Sequence, residues 1–138
     1  MRILLSIKPK YVEQIERRSK RFEFRKQNFK SKPKEIWIYA SSPVKKIVGI
    51  IYVEDVLEES PIELWSQCKE YAGIKRKPFF EYFKNRNKGI AIKIKKFVCF
   101  DKPIDPYEVK LGFTPPQSYA YLENIFPEGI EQYVETYC

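Results

Sequence analysis

The chain has 138 residues, and its 26 lysines and arginines against 18 aspartates and glutamates leave a net charge of +8. This length suffices for one domain with its own core, and the positive charge favours a polyanionic partner. Histidine is absent, which excludes Ser-His-Asp and Cys-His nucleophilic sites and any histidine-ligated zinc site.

The cysteines and the N-terminus predict the compartment of the protein. Cys68, Cys99 and Cys138 are scattered and include no C-x-x-C pair, so we expect reduced thiols, no metal site and no cofactor. The apolar run at the N-terminus is too short for a signal sequence, and no stretch approaches the about 18 apolar residues of a membrane span. We therefore expect a cytoplasmic protein that does not enter a membrane, with residues 1–138 forming a single domain.

The first half of the chain alternates strands with one helix. Arg2–Ile7 is typical of a short buried strand, and Pro9 can begin a helix that ends near Ser19, because proline is tolerated in the first helical turn. In Arg21–Lys26 the period changes to two, with phenylalanines on one face and charges on the other, which predicts a strand. After a basic loop, Glu35–Ala40 is β-branched and aromatic, as in a central strand.

The second half contains two long strands with helices between and after them. Val44–Val56 is predicted to be a strand that bends or bulges at Gly49. Ser60 and Glu63 have capping-box spacing and open a helix towards Tyr71, and a further helix is expected from about Arg76 to Phe83. Alternation over Ile90–Phe100 predicts another strand. Thr114–Ser118 resembles the start of a helix, and one or two short helices follow it. Strands with short helices between them predict a small α+β barrel.

The basic residues concentrate near the N-terminus. Residues 1–50 carry 14 basic and four acidic groups, whereas residues 101–138 carry two basic and seven acidic groups. The segment Arg17–Lys34 has nine basic residues, one acid and three phenylalanines, which favours a nucleic-acid surface over a merely solvated one. A second cluster runs from Lys75 to Lys88 and is equally well explained as solvated surface.

Several motifs, taken in order, resemble the ASCH domain family of the PUA-like superfamily. Arg18, Lys20, Glu23 and Arg25 have the spacing of the family's G-x-K-x-x-E-x-R motif, with Arg18 in place of the glycine. The segments that match elsewhere are Leu5–Pro9, Ile38–Val44, Val48–Gly49, Ser60–Trp65 and Gly112–Ser118. The resemblance covers about residues 3 to 122.

The resemblance implies a PUA-like small mixed β-barrel of about five to six strands with short peripheral helices, and a cleft that binds RNA, single-stranded or structured. Some family members resemble ribonucleases acting on single-stranded RNA, or amidohydrolases acting on acylated nucleosides through a motif lysine. We expect RNA binding first, and a metal-independent ribonuclease or amidohydrolase in the same cleft as the alternative. A protein-interaction module is disfavoured by the basic N-terminal half, and the sequence does not indicate an oligomeric state.

The candidate RNA-binding residues are cations and polar groups around the expected cleft: Lys8, Arg18, Lys20, Arg21, Arg25, Lys26, Ser41, Ser42 and Gln117. Glu23 and Arg25 share a strand face, so they form either a structural ion pair or part of a phosphate site. Lys8 is equally compatible with a solvated position.

The candidate catalytic residues are Tyr39, Lys45, Ser118, Lys20 and Glu23. A phenol, an ammonium and a hydroxyl could provide acid/base catalysis, charge stabilisation and a hydrogen-bond donor without histidine. Tyr39 and Lys45 flank a proline turn that would bring both to one opening. Core packing of Tyr39 and helix capping by Ser118 are the structural alternatives, and Trp37, Trp65, Phe79, Phe80 and Phe83 are expected in the core rather than in base stacking.

Overall fold

A curled sheet of six strands forms the centre of the computed structural model, which describes residues 1–135. The strands are β1 Arg2–Ile7, β2 Phe22–Arg25, β3 Glu35–Ala40, β4 Lys46–Glu59, β5 Gly89–Ile104 and β6 Ala120–Tyr121. Their order is β2-β5-β4-β3-β1-β6. Among the strand pairs of residues 1–135, β1 and β3 alone are parallel. The predicted small α+β barrel is confirmed as a curled half-barrel.

Short helices connect the strands. They are α1 Pro9–Glu16, α2 Pro61–Cys68, α3 Arg76–Tyr82, α4 Pro106–Val109 and α5 Leu122–Ile125, with 3-10 turns at Lys69–Tyr71 and Glu131–Tyr133. The predicted N-cap is confirmed, since Ser60 Oγ accepts a hydrogen bond from the Glu63 N–H at 3.3 Å. The helix expected to start at Thr114 is wrong, because residues 114–119 are irregular and lead into β6. Its two prolines and short polar run supply no apolar face that a helix could bury.

Alternation along the strands separates two hydrophobic clusters on the two faces of the sheet. The inner cluster includes Ile3, Leu5, Ile36 and Ile38, and the outer cluster includes Leu4, Trp37 and Tyr39. A third cluster packs α2 and α3 against β2 and contains Phe24, Leu64, Phe79 and Phe83. Of the aromatic residues predicted to belong to the core, Trp37, Phe79 and Phe83 are buried, whereas Trp65 and Phe80 are half-buried and pack against the third cluster.

The predicted irregularity at Gly49 is also confirmed. The pairing of β3 with β4 changes register between Ile38 and Tyr39, so that Val48 is extra. A Cβ atom on Gly49 would lie 2.5 Å from the carbonyl oxygen of Val98. A side chain at position 49 would clash with the backbone of β5 beside the bulge, so glycine is needed there.

A seam separates the two edge strands of the sheet, β2 and β6. Side chains join them instead of a backbone ladder. Arg25 Nη2 donates a hydrogen bond at 2.7 Å to the carbonyl oxygen of Ser6. Ser6 lies in β1, the strand that pairs with β6. The rings of Phe29 and Tyr119 meet edge to face with centroids 4.9 Å apart. Within the described part of the chain, a charged hydrogen bond and an aromatic contact therefore join the two sides of the seam, which leaves room for a cleft.

The cysteines differ from the expectation of three reduced thiols. Cys99 is disulfide-bonded, whereas Cys68 is a buried free thiol whose pKa burial raises to about 11. Cys138 lies outside the described residues. Cysteine spacing therefore does not support a reducing compartment, and the cytoplasmic location stays a prediction. Within residues 1–135, no helix is long and apolar enough to cross a membrane.

Arg18 occupies the turn that follows α1 and adopts a left-handed backbone with φ of 66°. This turn allows the N–H groups of Ser19 and Lys20 to donate to the carbonyl oxygen of Gln14, at 3.0 and 3.1 Å. Such a helix end is ordinarily occupied by glycine, because an L residue there meets its own carbonyl oxygen. The chain accepts this strain at the position where the family motif has glycine.

We expect Arg18→Gly to raise the free energy of unfolding by about 0.5 to 1 kcal/mol, because glycine adopts positive φ at no steric cost. The matched control is Arg17→Gly, whose φ of −77° is right-handed; there the free energy of unfolding should fall by a similar amount. Urea unfolding of both variants measures the difference. A less stable Arg18→Gly protein would mean that the arginine side chain stabilises the fold by more than its backbone strain costs.

Candidate nucleic-acid interface

The carboxylate of Glu23 lies between two cations beside the seam. Its Oε2 is 3.2 Å from Arg25 Nη2, and its Oε1 is 4.0 Å from Lys20 Nζ. The side chains of Lys20, Glu23 and Arg25 are 3, 10 and 19% exposed. The predicted pairing of Glu23 with Arg25 is confirmed. Because one acid faces two bases, this group keeps one positive charge in a poorly solvated place, where it acts strongly on an anion.

Local sequence explains how β2 presents these groups. Phe22 and Phe24 point to the third cluster under α2 and α3, so the alternate residues Glu23 and Arg25 face the inside of the curled sheet. Glu23 pairs with Ile92 across the strands, and Ile92 belongs to the inner cluster. In this one alternating segment, the phenylalanines anchor the edge strand and the residues between them place charged groups at the opening beside it.

Lys20 is held more tightly than a surface lysine. Its Nζ donates to the carbonyl oxygen of Ala72 at 2.7 Å and lies 5.0 and 4.9 Å from the ring centroids of Tyr11 and Phe24. Burial lowers its pKa, and the charge of Glu23 partly opposes that shift. Lowering follows from the cost of removing an ammonium from water. Lys20 is therefore a positioned cation that gives up its proton more readily than free lysine.

The three charged residues line a cavity of about 240 Å³, which we call the cleft. Lys8, Tyr11 and Tyr82 form other parts of its wall, and Lys8 is exposed at its rim. A second depression of about 400 Å³, which we call the seam depression, shares Arg25 and Tyr82 with the cleft. It also contains Lys26, Arg86, Gln117 and Ser118.

Arg18 and Arg21 lie on the other side of Lys20. All three line a small depression of about 60 Å³. Arg21 Nε donates to the carbonyl oxygen of Arg18, and its guanidinium stacks 3.8 Å from the ring centroid of Tyr71. Of the candidate RNA-binding residues, the structure therefore groups Lys8, Lys20, Arg25, Lys26 and Gln117 along the cleft and the seam depression, with Arg18 and Arg21 behind.

The phenol of Tyr39 does not face the cleft. It is 2% exposed, belongs to the outer cluster, and its oxygen lies 2.8 Å from the hydroxyl of Tyr107. The pKa of Tyr39 is raised, mainly because the phenol is buried and secondly because it is hydrogen-bonded to Tyr107. Tyr39 points away from the cleft because the odd-numbered residues Trp37 and Tyr39 of β3 lie on the outer face of the sheet, and the predicted approach of Tyr39 and Lys45 to one opening stays a prediction.

The turn after β3 lies at the same end of the sheet as the cleft. The Ser41 N–H donates to the carbonyl oxygen of Ile7 at 3.0 Å, one residue before Lys8. Ser42 and Lys45 are exposed in this turn, and Lys45 has a positive φ of 55°. Ser6 is the register partner of Tyr39, and its hydroxyl donates to the carbonyl oxygen of Pro116 at 3.2 Å. Ser118, two residues after Pro116, lines the seam depression.

Sequence reasoning missed Tyr82, Arg86 and the carbonyl oxygen of Ala72. Arg86 belonged to the second basic cluster, and Tyr82 interrupts the phenylalanines of α3 with a hydroxyl. A polar tip in a buried aromatic run is the signal that could have found Tyr82. A backbone acceptor such as Ala72 O has no side-chain signature.

The structure is thus that of a small curled half-barrel protein with a cleft beside an incompletely closed seam. The ASCH domain family profile matches residues 5–99. An ASCH domain-containing ribonuclease of Zymomonas mobilis is 29% identical over 126 residues, which cover 86% of this chain and 82% of the relative.

Two crystal structures from the same organism have the same fold. A tyrosine-to-phenylalanine mutant of the Zymomonas mobilis ASCH protein superposes with a TM-score of 0.82 at 25% identity, covering 98% of both chains. The crystal structure of ASCH from Zymomonas mobilis gives a TM-score of 0.79 at 26% identity over 92% of both chains. The chain belongs to the ASCH domain family.

Replacing Glu23 with glutamine leaves Lys20 and Arg25 without a counter-charge. We expect the free energy of unfolding to fall by about 3 to 5 kcal/mol at neutral pH, the usual result of breaking a buried charge cluster. The loss should shrink at about pH 10, near the ordinary pKa of lysine. Since the pKa of Lys20 is lowered, its ammonium destabilises the folded state below that pKa, and deprotonation at higher pH removes part of the need for Glu23.

Denaturant titrations at both pH values measure this effect, with exposed Glu13→Gln on α1 as the matched control. A loss for Glu23→Gln that does not change with pH would contradict a stabilising role exerted through Lys20.

Proposed function

We propose that this protein binds RNA and holds its phosphates at the cleft formed by Lys20, Glu23 and Arg25. The observation that carries the proposal is the uneven charge of this group, in which one buried carboxylate faces two cations. A buried site of net positive charge is stable only beside an anion or water, and a phosphodiester supplies the anion.

The surroundings of the cleft support the same partner. Lys8 stands at the rim, and Lys26 and Arg86 extend the positive charge into the seam depression. A surface with several cations tracks a backbone that carries one negative charge per nucleotide, rather than a single small anion. Membership of the ASCH family and the ribonuclease name of the Zymomonas mobilis relative agree with RNA as the polyanion.

We expect RNA binding to weaken steeply as salt increases, since each phosphate contact on a single strand contributes about −0.7 to the slope of log K against log salt. Fluorescence anisotropy with a labelled RNA oligomer measures the slope. Lys8→Ala should make it shallower by about 0.7, because this variant removes one rim cation. The matched control is Lys95→Ala, an exposed lysine of β5 outside the cleft.

Two outcomes would count against this prediction. Binding that is independent of salt would exclude a phosphate site, and equal losses for the Lys8 and Lys95 variants would indicate diffuse attraction by the whole surface.

The second candidate function is a metal-independent ribonuclease, favoured by the name of the relative that is 29% identical. In this proposal the ribose 2′-hydroxyl attacks the neighbouring phosphorus and gives its proton to water, while the bond from phosphorus to the 5′-oxygen breaks and that oxygen takes a proton from water. Ser118 donates a hydrogen bond to the phosphate under attack, and Lys45 or Lys20 supplies the cation. Tyr39 retains its proton, because burial raises its pKa; in this proposal it acts through its hydrogen bond with the hydroxyl of Tyr107 and not by contact with the RNA. Glu23 orients Lys20 and Arg25.

We expect Ser118→Ala to reduce RNA cleavage about 100-fold, the usual effect of losing a donor to developing charge. Binding should change by no more than about twofold, since most ground-state attraction comes from cations. Cleavage of labelled RNA in chelator, alongside anisotropy, separates the two effects, and exposed Ser66→Ala on α2 is the control. Lys45→Ala and Tyr39→Phe should also abolish cleavage and leave binding intact. Cleavage that persists in all three variants would leave RNA binding as the function.

A further inference from the structure

Tyr82, at the C-terminal end of α3, lies where three depressions of the surface meet. It lines the cleft, the seam depression and a third depression of about 560 Å³, which we call the α3 depression. The α3 depression shares Tyr11, Ile74 and Tyr82 with the cleft. The three depressions therefore adjoin one another around Tyr82, with the cleft in the middle, and we call them together the groove.

Charge is distributed along the whole groove. Lys77 lies in the α3 depression together with Glu81, Lys8 and Arg25 lie in the cleft, and Lys26 and Arg86 lie in the seam depression. Lys77 and Arg86 come from the second basic cluster of the sequence. Two residues of the second cluster thus lie beside cations of the first one.

Tyr82 is positioned as a fixed aromatic platform. Its hydroxyl donates to the carbonyl oxygen of Phe24 at 3.3 Å, and its ring packs edge to face on Phe83 with centroids 4.8 Å apart. Even so, 36% of the residue is exposed. The ammonium of Lys26, an exposed side chain, lies 4.9 Å from the ring centroid. A phosphate can draw this ammonium off the ring and leave the ring face to a base.

We propose that Tyr82 is a binding residue of the groove and stacks on one base of the RNA. This inference rests on the proposed RNA binding and names a contact that the same site makes with a base. An aromatic ring inside a groove reaches only a base that is splayed out of a helix, because the bases of a duplex are stacked and paired. Cations on both sides of the ring then contact the phosphates that flank the stacked base.

The test compares Tyr82→Leu, Tyr82→Phe and the original protein, using anisotropy with three labelled probes of equal length. The probes are a single-stranded oligouridine, an RNA duplex and an oligomer with the oligouridine backbone but no bases. The matched control is Tyr133→Leu, which removes an aromatic residue of similar exposure outside the groove.

For the oligouridine, Tyr82→Leu should weaken binding about 5- to 150-fold, the range for loss of one stacked base. The salt slope should not change, because no cation is removed. Tyr82→Phe should bind within about twofold, since the ring remains. Neither the duplex nor the base-free oligomer should distinguish the variants, and the original protein should bind the oligouridine more tightly than the base-free oligomer.

Equal binding of the oligouridine and the base-free oligomer by the original protein would overturn the stacking proposal, even if Tyr82→Leu failed to fold. Salt-dependent binding would in that case persist, and the proposed function would stand. Tighter binding of the duplex than of the oligouridine would also overturn the stacking proposal, because the bases of a duplex are not open to Tyr82. Absence of binding to any probe would overturn both proposals.

Discussion

Glu23 is the point on which the rest of the site depends. Its carboxylate lies between Lys20 and Arg25, and each of these cations is also tied to a backbone carbonyl, at Ala72 and Ser6 respectively. One acid thereby links β2 to the segment before α3 and to the end of β1. Buried charges are costly unless they are paired and hydrogen-bonded. The cluster meets that condition incompletely, because its charges do not cancel, and the remaining positive charge faces the cleft.

The curl of the sheet turns this cluster into a site. If β2 paired with β6, the barrel would close with a backbone ladder and Arg25 would have no route across it. The edges are joined by side chains instead, so the seam is wide enough for the cleft and for the seam depression. The segment between β4 and β5, which contains α2 and α3, forms the opposite wall and supplies Ala72 and Tyr82. Binding groups therefore come from segments far apart in sequence.

Much of this arrangement follows from sequence, and the rest depends on tertiary geometry. Alternation and β-branching located β1 and β3 with their observed bounds, and the alternating Phe22–Arg25 segment predicted the pairing of Glu23 with Arg25. The face of β3 that carries Tyr39 could not be assigned, because periodicity gives two faces without saying which one curls inward. β6 was missed because two residues carry no pattern. The carbonyl oxygens that hold Lys20 and Arg25 are present in every residue, so only the fold selects them.

The way in which the seam is closed determines where the barrel opens most easily. Elsewhere in the sheet, several backbone hydrogen bonds must break together before two strands separate. The two edges at the seam separate once the hydrogen bond of Arg25 breaks and the ring contact of Phe29 with Tyr119 is lost. This line is therefore where amide hydrogens should exchange most easily with solvent. A polyanion bound across the seam contacts both edges of the sheet and therefore holds them together. The protein would then be more rigid with RNA bound than without it. The side chains that close the seam would be the same groups that bind the ligand.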